Sequence, residues 1–340
     1  MSKVVYLMGA GASFGTRAQN VWAISSGIPI VSEIPRELDT WGREINATTW
    51  GEHALYKYKD FEVDLPEAQN KLSNDFKWLA AECANHSTID TFAKKLFLTG
   101  NGTDYKRLKR ALTAFLLVEQ IAHKSDMRYD AFFANILNKE RLIPDDIAII
   151  TWNYDSQFEI ALSGYGIRLT DMKYSPICLP VYNDESHNQR YKIFKINGSA
   201  TFSDDRPISD FCKPTQQNLS DKELKREVLW YYGNSKLTPD LSFAWEEEQD
   251  SSYFYRLLEE QIKNATTMVV VGYTFPYFNR ETDRRVIAMM RNLKRIIIQD
   301  PNAEAIVQNV EATFQDYQLV NKIKIEPYTH TQSFIIPREL

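Results

Sequence analysis

The chain has 340 residues, of which 44% are hydrophobic and 25% are charged, the balance of an ordinary globular protein. This length allows one large domain or two modest ones. A formal net charge of −5 provides no general basic surface, so direct binding of nucleic acid or of an anionic membrane is not expected.

The cysteines argue for a reducing compartment and against a structural metal. Cys83, Cys178 and Cys212 lie far apart, form no CxxC pair and match no zinc-ligand spacing. The N-terminus has no signal-peptide features, and its apolar run is too short to span a bilayer. These features together predict a cytoplasmic protein without a bound metal.

The first apolar run, Val4–Met8, ends in the sequence Gly9-Ala10-Gly11-Ala12-Ser13. A short apolar run stopped by glycine is typical of a buried parallel strand followed by a turn. Glycine has no Cβ, so the backbone here can turn sharply and approach a ligand. A helix that begins near Ser13 would then direct its free N–H groups at a phosphate. An ordinary strand–turn–helix corner is the alternative interpretation.

The fingerprint of a dinucleotide-dependent dehydrogenase is not met. That fingerprint requires G-x-G-x-x-G and an acidic residue at the end of the second strand. Here Phe14 stands where the third glycine is needed, and the glycine follows one position late at Gly15. Glu33 lies in a segment with two prolines and no strand, where it is badly placed to bind a ribose.

Residues 36–139 have a helical texture in which no strand is recognisable. The clearest helix has an apolar stripe that includes Leu108, Leu112 and Phe115. Ser87-Thr88-Ile89-Asp90 indicates a turn or a helix start upstream of it. The segment therefore predicts a helical insertion, or cap, on a sheet domain formed by residues 1–35 and 140–330.

Four further apolar runs predict strands of the same sheet, and helices are expected at 222–230, 254–262 and 280–291. Alternating strands and helices favour an α/β fold with a Rossmann-like parallel sheet covered on both faces. The predicted strands are Ile147–Trp152, Tyr191–Ile196, Met268–Gly272 and Arg295–Pro301.

Small and hydrogen-bonding residues follow these strands. Ligands of open parallel sheets bind beyond the carboxyl ends of the strands, so the sequence favours one shared nucleotide site at that edge. The strand ends carry Gly9–Ser13, Asn153-Tyr154-Asp155, Asn197-Gly198-Ser199, Gly272-Tyr273-Thr274 and Gln299-Asp300.

In this order the strand ends resemble those of sirtuin-type NAD-consuming domains. Gly9–Ser13 is similar to their first phosphate loop, and Ser26–Pro29 to the loop that covers the nicotinamide. Thr151–Asp155 resembles their T-x-N-x-D strand end, and Gly272–Pro276 a turn of the sirtuin-like domains of bacterial phage defence. The resemblance implies dinucleotide binding by Gly9, Ala10, Gly11, Ser13, Ile28, Pro29, Gly198, Gly272, Tyr273, Thr274, Gln299 and Asp300.

Two departures separate the chain from the protein deacylases of that family. Deacylases carry an aspartate, an aromatic residue and an arginine after G-I-P, where this chain has Ile30-Val31-Ser32. They also carry four zinc cysteines, which this chain lacks. The resemblance therefore implies hydrolysis of NAD rather than deacylation.

A third departure lies at the expected catalytic position. The family places a histidine before the glycine, whereas this chain has Asn197 before Gly198. A histidine accepts a proton near neutral pH and an asparagine amide does not, although Asn197 can still bind a ribose hydroxyl. His187, in a polar loop, is the nearest histidine along the chain and a weak candidate for a substitute base.

The resemblance assigns the chemistry to Asn153, Asn197 and Asp155. Asn153 would hold the attacking water or the nicotinamide ribose, whereas Asp155 either caps a helix or contacts the substrate. The cationic leaving group already activates the glycosidic bond, so positioning and electrostatics can supply much of the rate. Loss of the histidine then predicts slow or conditional turnover.

The expected function is an effector that hydrolyses NAD to nicotinamide and ADP-ribose and so depletes the cell of NAD during phage infection. Such an activity has to be restrained, which implies control by homo-oligomerisation or by a separately encoded sensor or regulator protein. The alternative is a catalytically impaired module that binds or senses NAD, ADP-ribose or a related nucleotide.

Overall fold

The computed structural model describes residues 3–15, 26–51, 54–58, 60–123, 125–166, 178–180, 191–203, 220–246, 251–321 and 323–340. Its central sheet has seven strands in the order β11-β10-β9-β1-β4-β6-β5. All neighbours are parallel except β5, which runs antiparallel to β6. The strands are β1 (Val4–Met8), β4 (Ile147–Thr151), β5 (Cys178–Pro180), β6 (Tyr191–Lys195), β9 (Thr267–Val271), β10 (Arg295–Gln299) and β11 (Lys324–Tyr328).

Both faces of the sheet are covered by helices, which confirms the α/β prediction. Side chains along a strand point alternately to opposite faces. In β1, Val5 and Leu7 join one apolar cluster, whereas Val4, Tyr6 and Met8 join the other. The helices of the first cluster are α9 (Ser251–Ile262), α10 (Arg280–Met289) and α11 (Ala303–Asn321), and those of the second are α6 (Met127–Ile136) and α7 (Gln157–Gly164).

A third apolar cluster lies among the remaining helices. It contains side chains from the predicted insertion as far as residue 122, and from a segment after β6. Its elements are α2 (Ile34–Asn46), α3 (Leu65–Asn85), α4 (Ile89–Leu98), α5 (Gly102–Ala122), α8 (Asp221–Gly233), β3 (Phe61–Asp64), β7 (Gly198–Ser203) and β8 (Thr238–Leu241).

Two predictions about this region need correction. The segment 36–139 does contain strands, because Leu55–Tyr58 (β2) pairs with β3 in an antiparallel hairpin. No strand was predicted between Tyr191–Ile196 and Met268–Gly272, yet this part of the chain contributes β7 and β8 as well as α8. The predicted helix at 222–230 is confirmed.

The predicted boundaries of the insertion do not match the apolar clusters that the helices join. Helix α6 lies within 36–139 but packs on the sheet, whereas α8 lies outside that segment and packs on the third cluster. The division at residues 35 and 139 stays a prediction. Among the described helices, none has the length and apolar character needed to cross a membrane.

Candidate functional site

A cavity of about 1030 Å³ lies at the carboxyl-terminal edge of the sheet. This volume is at the upper end of the range of ~300–1,000 Å³ that is usual for ligand pockets. The ends of β1, β4, β9 and β10 form one side, and the start of α4 with parts of α5 forms another. All the residues assigned above to dinucleotide binding or catalysis line this cavity, except Gly9 and Gly198.

The glycines at two of these strand ends allow two turns to pack on each other. A Cβ on Gly9 would lie 2.6 Å from the carbonyl oxygen of Gly272, and one on Gly11 would lie 2.8 Å from its Cα. Gly272 has φ +60°, and a Cβ there would lie 2.3 Å from the amide of Ala12. Glycine is therefore required because the backbone of the first turn packs directly on the backbone at Gly272. Gly9 takes part in this packing and does not itself line the cavity.

We expect Gly272→Ala to lower the free energy of unfolding by about 2–3 kcal/mol, because it combines a left-handed backbone with a clash against the Gly11–Ala12 turn. Gly100→Ala is the matched control, since Gly100 has φ +69° but nothing within 4 Å of a Cβ. That control isolates the backbone strain, about 1 kcal/mol. Equal losses in urea denaturation would contradict the packing argument.

The helix expected to begin near Ser13 is different in the structure. A single turn, α1, covers Ala10–Ser13 and ends there, with Phe14 in an extended conformation. Phe14 then forms a β-bridge with Gly27, and Ile28 donates to the carbonyl of Ser13 at 2.8 Å. These bonds place Ile28 and Pro29 in the cavity wall beside the glycine turn.

Asn153 ties the end of β4 to the glycine turn. Its Nδ2 donates to the carbonyl of Gly9 at 2.8 Å and to Oγ of Ser13 at 2.9 Å. Oγ of Ser13 also lies 2.8 Å from the hydroxyl of Tyr129. Both amide protons of Asn153 are used in this way, which leaves its carbonyl oxygen for a ligand.

Asp155 is buried and takes part in the turn that begins α7. Its Oδ1 accepts from the amide of Gln157 at 3.0 Å, and Ser13 also bonds the carboxyl. Burial raises the pKa of Asp155, although Ser13 and the charge of Lys195 oppose that rise. Nζ of Lys195 donates to the backbone oxygen of Asp155 at 2.6 Å and to Oε1 of Glu159 at 2.8 Å, wholly removed from solvent.

Asn197 lies in the turn between β6 and β7 and faces the cavity. Its Nδ2 donates to the carbonyl of Trp152 at 3.3 Å, whereas its buried Oδ1 has no partner among the described residues. Gly198 begins β7 with φ +72°, and a Cβ there would lie 2.1 Å from the carbonyl of Asp240. Gly198 thus serves the pairing with β8 and does not line the cavity.

Tyr273 forms the wall after β9. Its ring stacks on Trp152, with centroids 5.6 Å apart and planes at 13°. Its hydroxyl lies 2.9 Å from Oδ2 of Asp283 on α10 and accepts from Nδ2 of Asn279 at 3.0 Å. Burial raises the pKa of Asp283 to about 8, so this carboxyl is largely protonated at neutral pH. The next residue, Thr274, is exposed and also lines the cavity.

Gln299 and Asp300 follow β10 and have different surroundings. The amide nitrogen of Gln299 donates to the carbonyls of His330 and Ser333, and its oxygen accepts from Ile335. Gln299 therefore anchors the C-terminal segment, and its contact with a dinucleotide stays a prediction. Asp300 is partly exposed to the cavity, with Oδ1 accepting from the amide of Asn302 at 2.8 Å.

Sequence reasoning missed two charged residues of the wall, Asp90 and Arg128. Arg128 on α6 donates to the carbonyl of Ala12 at 3.0 Å and to Oδ1 of Asp126 at 2.6 Å. It is the only basic side chain among the described residues of the wall, beside the aspartates Asp90, Asp126, Asp155 and Asp300. An acidic wall of this kind suits a ligand with a cationic ring. Asp90 stood in a recognised helix start, but nothing in the sequence placed that helix beside the strand ends.

The described part of the chain contains no group of three or more His, Cys, Asp or Glu residues that could hold a metal ion. Cys83 is a buried free thiol. The alternative base His187 lies outside the described residues, as does Cys212.

No protein-family model and no curated protein matches the chain. The chain is similar to a solved structure of a triple mutant of Sir2 homologues in complex with 2'-O-acetyl ADP ribose, with 14% identity, a TM-score of 0.36 and coverage of 92% of each chain. A second similar structure is Sir2 bound to an inhibitor, 2'-O-acetyl-ADP-ribose and a deacetylated peptide, with 14% identity, a TM-score of 0.33 and coverage of 92% of this chain and 94% of that one. These values are too low to show the family or the activity of this chain.

Proposed function

We propose that the chain hydrolyses NAD to nicotinamide and ADP-ribose in this cavity. One observation supports the proposal above the others. The strand ends that resemble those of NAD-consuming sirtuin-like domains converge on a single cavity large enough for a dinucleotide. The side-chain carbonyl oxygen of Asn153 and Oδ1 of Asn197 have no partner in the part of the chain that the structure describes, so they supply acceptors for ribose hydroxyls.

The wall suits the reaction electrostatically. The amide of Ala10 has no backbone acceptor among the described residues and lines the cavity, so it can donate to a phosphate oxygen. The aspartates of the wall stabilise the positive charge of the nicotinamide ring and of the oxocarbenium-like ribose that forms as the ring leaves. Water then attacks C1' of the ribose, and nicotinamide departs with the electron pair of the broken bond.

In the cell, we propose that this activity acts in the cytoplasm and depletes NAD during phage infection. Such an effector needs restraint, which assembly into homo-oligomers or a separately encoded regulator would supply. Mass measurement with and without NAD tests the first form of control, and co-purification with neighbouring gene products tests the second.

A second function, nucleotide binding without turnover, is favoured by Asn197 itself. An amide cannot accept a proton as a histidine does, and Asn197 stands where the sirtuin-like domains have their histidine. On this alternative the unpartnered Oδ1 binds a ribose hydroxyl, and the cavity acts as a sensor of NAD or ADP-ribose.

Nicotinamide release separates the two functions. The purified chain, alone and with candidate partners, is incubated with NAD, and nicotinamide is measured by chromatography while calorimetry follows binding of ADP-ribose. Under the proposal we expect nicotinamide release that Asn153→Ala reduces by about 10²–10³-fold, the loss typical of one positioning group. Tight binding without release under any condition would instead establish the sensor.

A further inference from the structure

Asp90 carries a carboxylate in the cavity wall for which the described residues provide no ion-pair partner. It is the second residue of α4, a helix that begins after Thr88, whose side chain caps it by accepting from Thr91. The Asp90 side chain lines the cavity and remains partly accessible to solvent. No described residue forms an ion pair or a side-chain hydrogen bond with it, and its own backbone amide donates to the carboxylate.

Asp90 shares the wall of the cavity with Tyr154 and Tyr273. The negative charge of Asp90 contributes to the raised pKa of Tyr154 and of Tyr273. Tyr273 stacks on the ring of Trp152, whose carbonyl accepts from Asn197, and Tyr154 lies two residues after Trp152. Asp90 and Asn197 line the same cavity as these residues.

Two other residues of the cavity wall also carry polar atoms that are unpartnered among the described residues. These atoms are the hydroxyl oxygen of Tyr154 and Oδ1 of Asn197, both buried. Buried polar groups normally have partners, so free ones on a cavity wall mark a place where a polar ligand or water is bound. Residues of this one cavity wall thus carry a carboxylate, a hydroxyl and an amide oxygen that have no described side-chain partner.

We propose that Asp90 is the catalytic base of the NAD hydrolysis proposed above, in the role for which Asn197 is unsuited, and the inference rests on that function. Its carboxylate takes one proton from the attacking water as the water oxygen bonds to C1' of the ribose. The C1'–N bond breaks and its electron pair passes to the nicotinamide nitrogen, which leaves neutral. Asp90 then releases the proton to solvent, so that NAD and water give nicotinamide, ADP-ribose and a proton.

The titration of Asp90 suits this role. Burial raises the pKa of Asp90 from 3.8 to about 6, so the carboxylate is ionised at neutral pH yet basic enough to accept a proton. The charge of Asp90 contributes to the raised pKa of three titratable groups, which are Cys83 on α3, Tyr154 after β4 and Tyr273 after β9. Each of these three has a raised pKa and stays neutral near pH 7, whereas Glu246, which acts on Tyr154, is paired with Lys109.

The other aspartates of the wall are less suited to accept a proton. Asp126 is paired with Arg128, and Asp155 is buried against Ser13 and the amide of Gln157. Oδ1 of Asp300 accepts from the amide of Asn302, just before α11. Asp300 follows β10, which two strands separate from β4. Asp90 alone among them combines access to the cavity with an unpaired carboxylate.

A purely structural role for Asp90 predicts a different behaviour on substitution. An acid in the first turn of a helix stabilises it through the helix dipole, so that its loss would destabilise α4. A desolvated carboxylate without an ion-pair partner, by contrast, costs stability at neutral pH because its folded pKa is raised. We therefore expect Asp90→Asn, which keeps the shape and removes the charge, to be at least as stable as the wild-type chain at pH 7.

The experiment compares Asp90→Asn with Asp104→Asn, a first-turn acid of α5 outside the cavity. Nicotinamide release from NAD is measured for both variants, with ADP-ribose calorimetry and thermal unfolding as companions. We expect Asp90→Asn to release nicotinamide about 10²–10⁴-fold more slowly, with ADP-ribose affinity and stability kept. Asp104→Asn should match the wild type, and Asp90→Glu should recover part of the rate.

The pH profile adds a readout that a structural role would not change. Release by the wild-type chain should fall as the pH drops through about 6, and the residual rate of Asp90→Asn should lack that limb. If the wild type is active and Asp90→Asn is equally active, Asp90 is not the base, although NAD hydrolysis itself stands. The same conclusion follows if Asp90→Asn loses ADP-ribose binding together with its rate. A wild-type chain that releases no nicotinamide overturns both proposals.

Discussion

Replacing Lys195 by methionine should lower the free energy of unfolding by about 3–5 kcal/mol, because it leaves the carboxylate of Glu159 buried without its cation. Lys195 is 0% exposed and Glu159 is 2% exposed, and Nζ lies 2.8 Å from Oε1. The second oxygen of Glu159 has no described partner even in the wild type. The loss should appear as a lower midpoint in urea denaturation at an unchanged slope.

Two controls identify the cause of this loss. The double variant Lys195→Met with Glu159→Leu removes both charges, and it should recover most of the stability because an apolar pair of similar volume is tolerated in a core. Lys3→Met removes an exposed pair, with side chains 59% and 45% accessible and atoms 3.4 Å apart, and should change stability by less than about 1 kcal/mol. A double variant as unstable as Lys195→Met would contradict the ion-pair explanation.

The ion pair also matters for the site. Nζ of Lys195 donates to the backbone oxygen of Asp155, so the end of β6 holds the turn after β4 in place. We therefore expect the residual folded fraction of Lys195→Met to bind ADP-ribose more weakly. The stability of the core and the shape of the cavity depend on the same side chain.

The strands that the sequence revealed are those buried on both faces. Val4–Met8 and Thr267–Val271 are continuous apolar runs because helices cover both sides, and their hydrophobicity alone identifies them. The edge strand β11 was missed, since Lys324, Glu326 and Pro327 interrupt its pattern and its side chains stay partly exposed. The hairpin β2–β3 was missed for the same reason, as most of its side chains face solvent.

The sequence could predict only those residues of the candidate site that directly follow parallel strands. Parallel strands bring their carboxyl ends to one edge, so Asn153 and Gly272 could be expected to meet from their positions after strands. Asp90 and Arg128 come from helices whose packing on that edge depends on long-range contacts, and no local pattern encodes such contacts. The use of Gln299 to anchor residues 330–335 was hidden for the same reason.

We expect the free energy of unfolding of the wild-type chain, measured relative to Asp283→Asn, to fall as the pH rises from about 5 to about 8. The expected fall is about 1.4 kcal/mol for each pH unit. Burial raises the pKa of Asp283 from 3.8 to about 8, so the folded chain keeps this proton over a range in which the unfolded chain has lost it. Because the folded state binds more protons, raising the pH favours the unfolded state. Over three pH units the difference sums to about 4 kcal/mol.

The Asp283→Asn variant tests whether residue 283 is protonated in the folded chain, because asparagine cannot ionise and keeps an oxygen that accepts from Tyr273. The free energies of unfolding of both chains are measured in urea from pH 5 to pH 8, and the difference between them isolates residue 283 from other titrating groups. Asp39→Asn on α2, whose carboxylate is 53% exposed beside Arg43, should give a difference near zero throughout. A flat difference for Asp283→Asn would mean that the carboxyl is ionised in the folded chain, and that Tyr273 is held beside a charge at neutral pH.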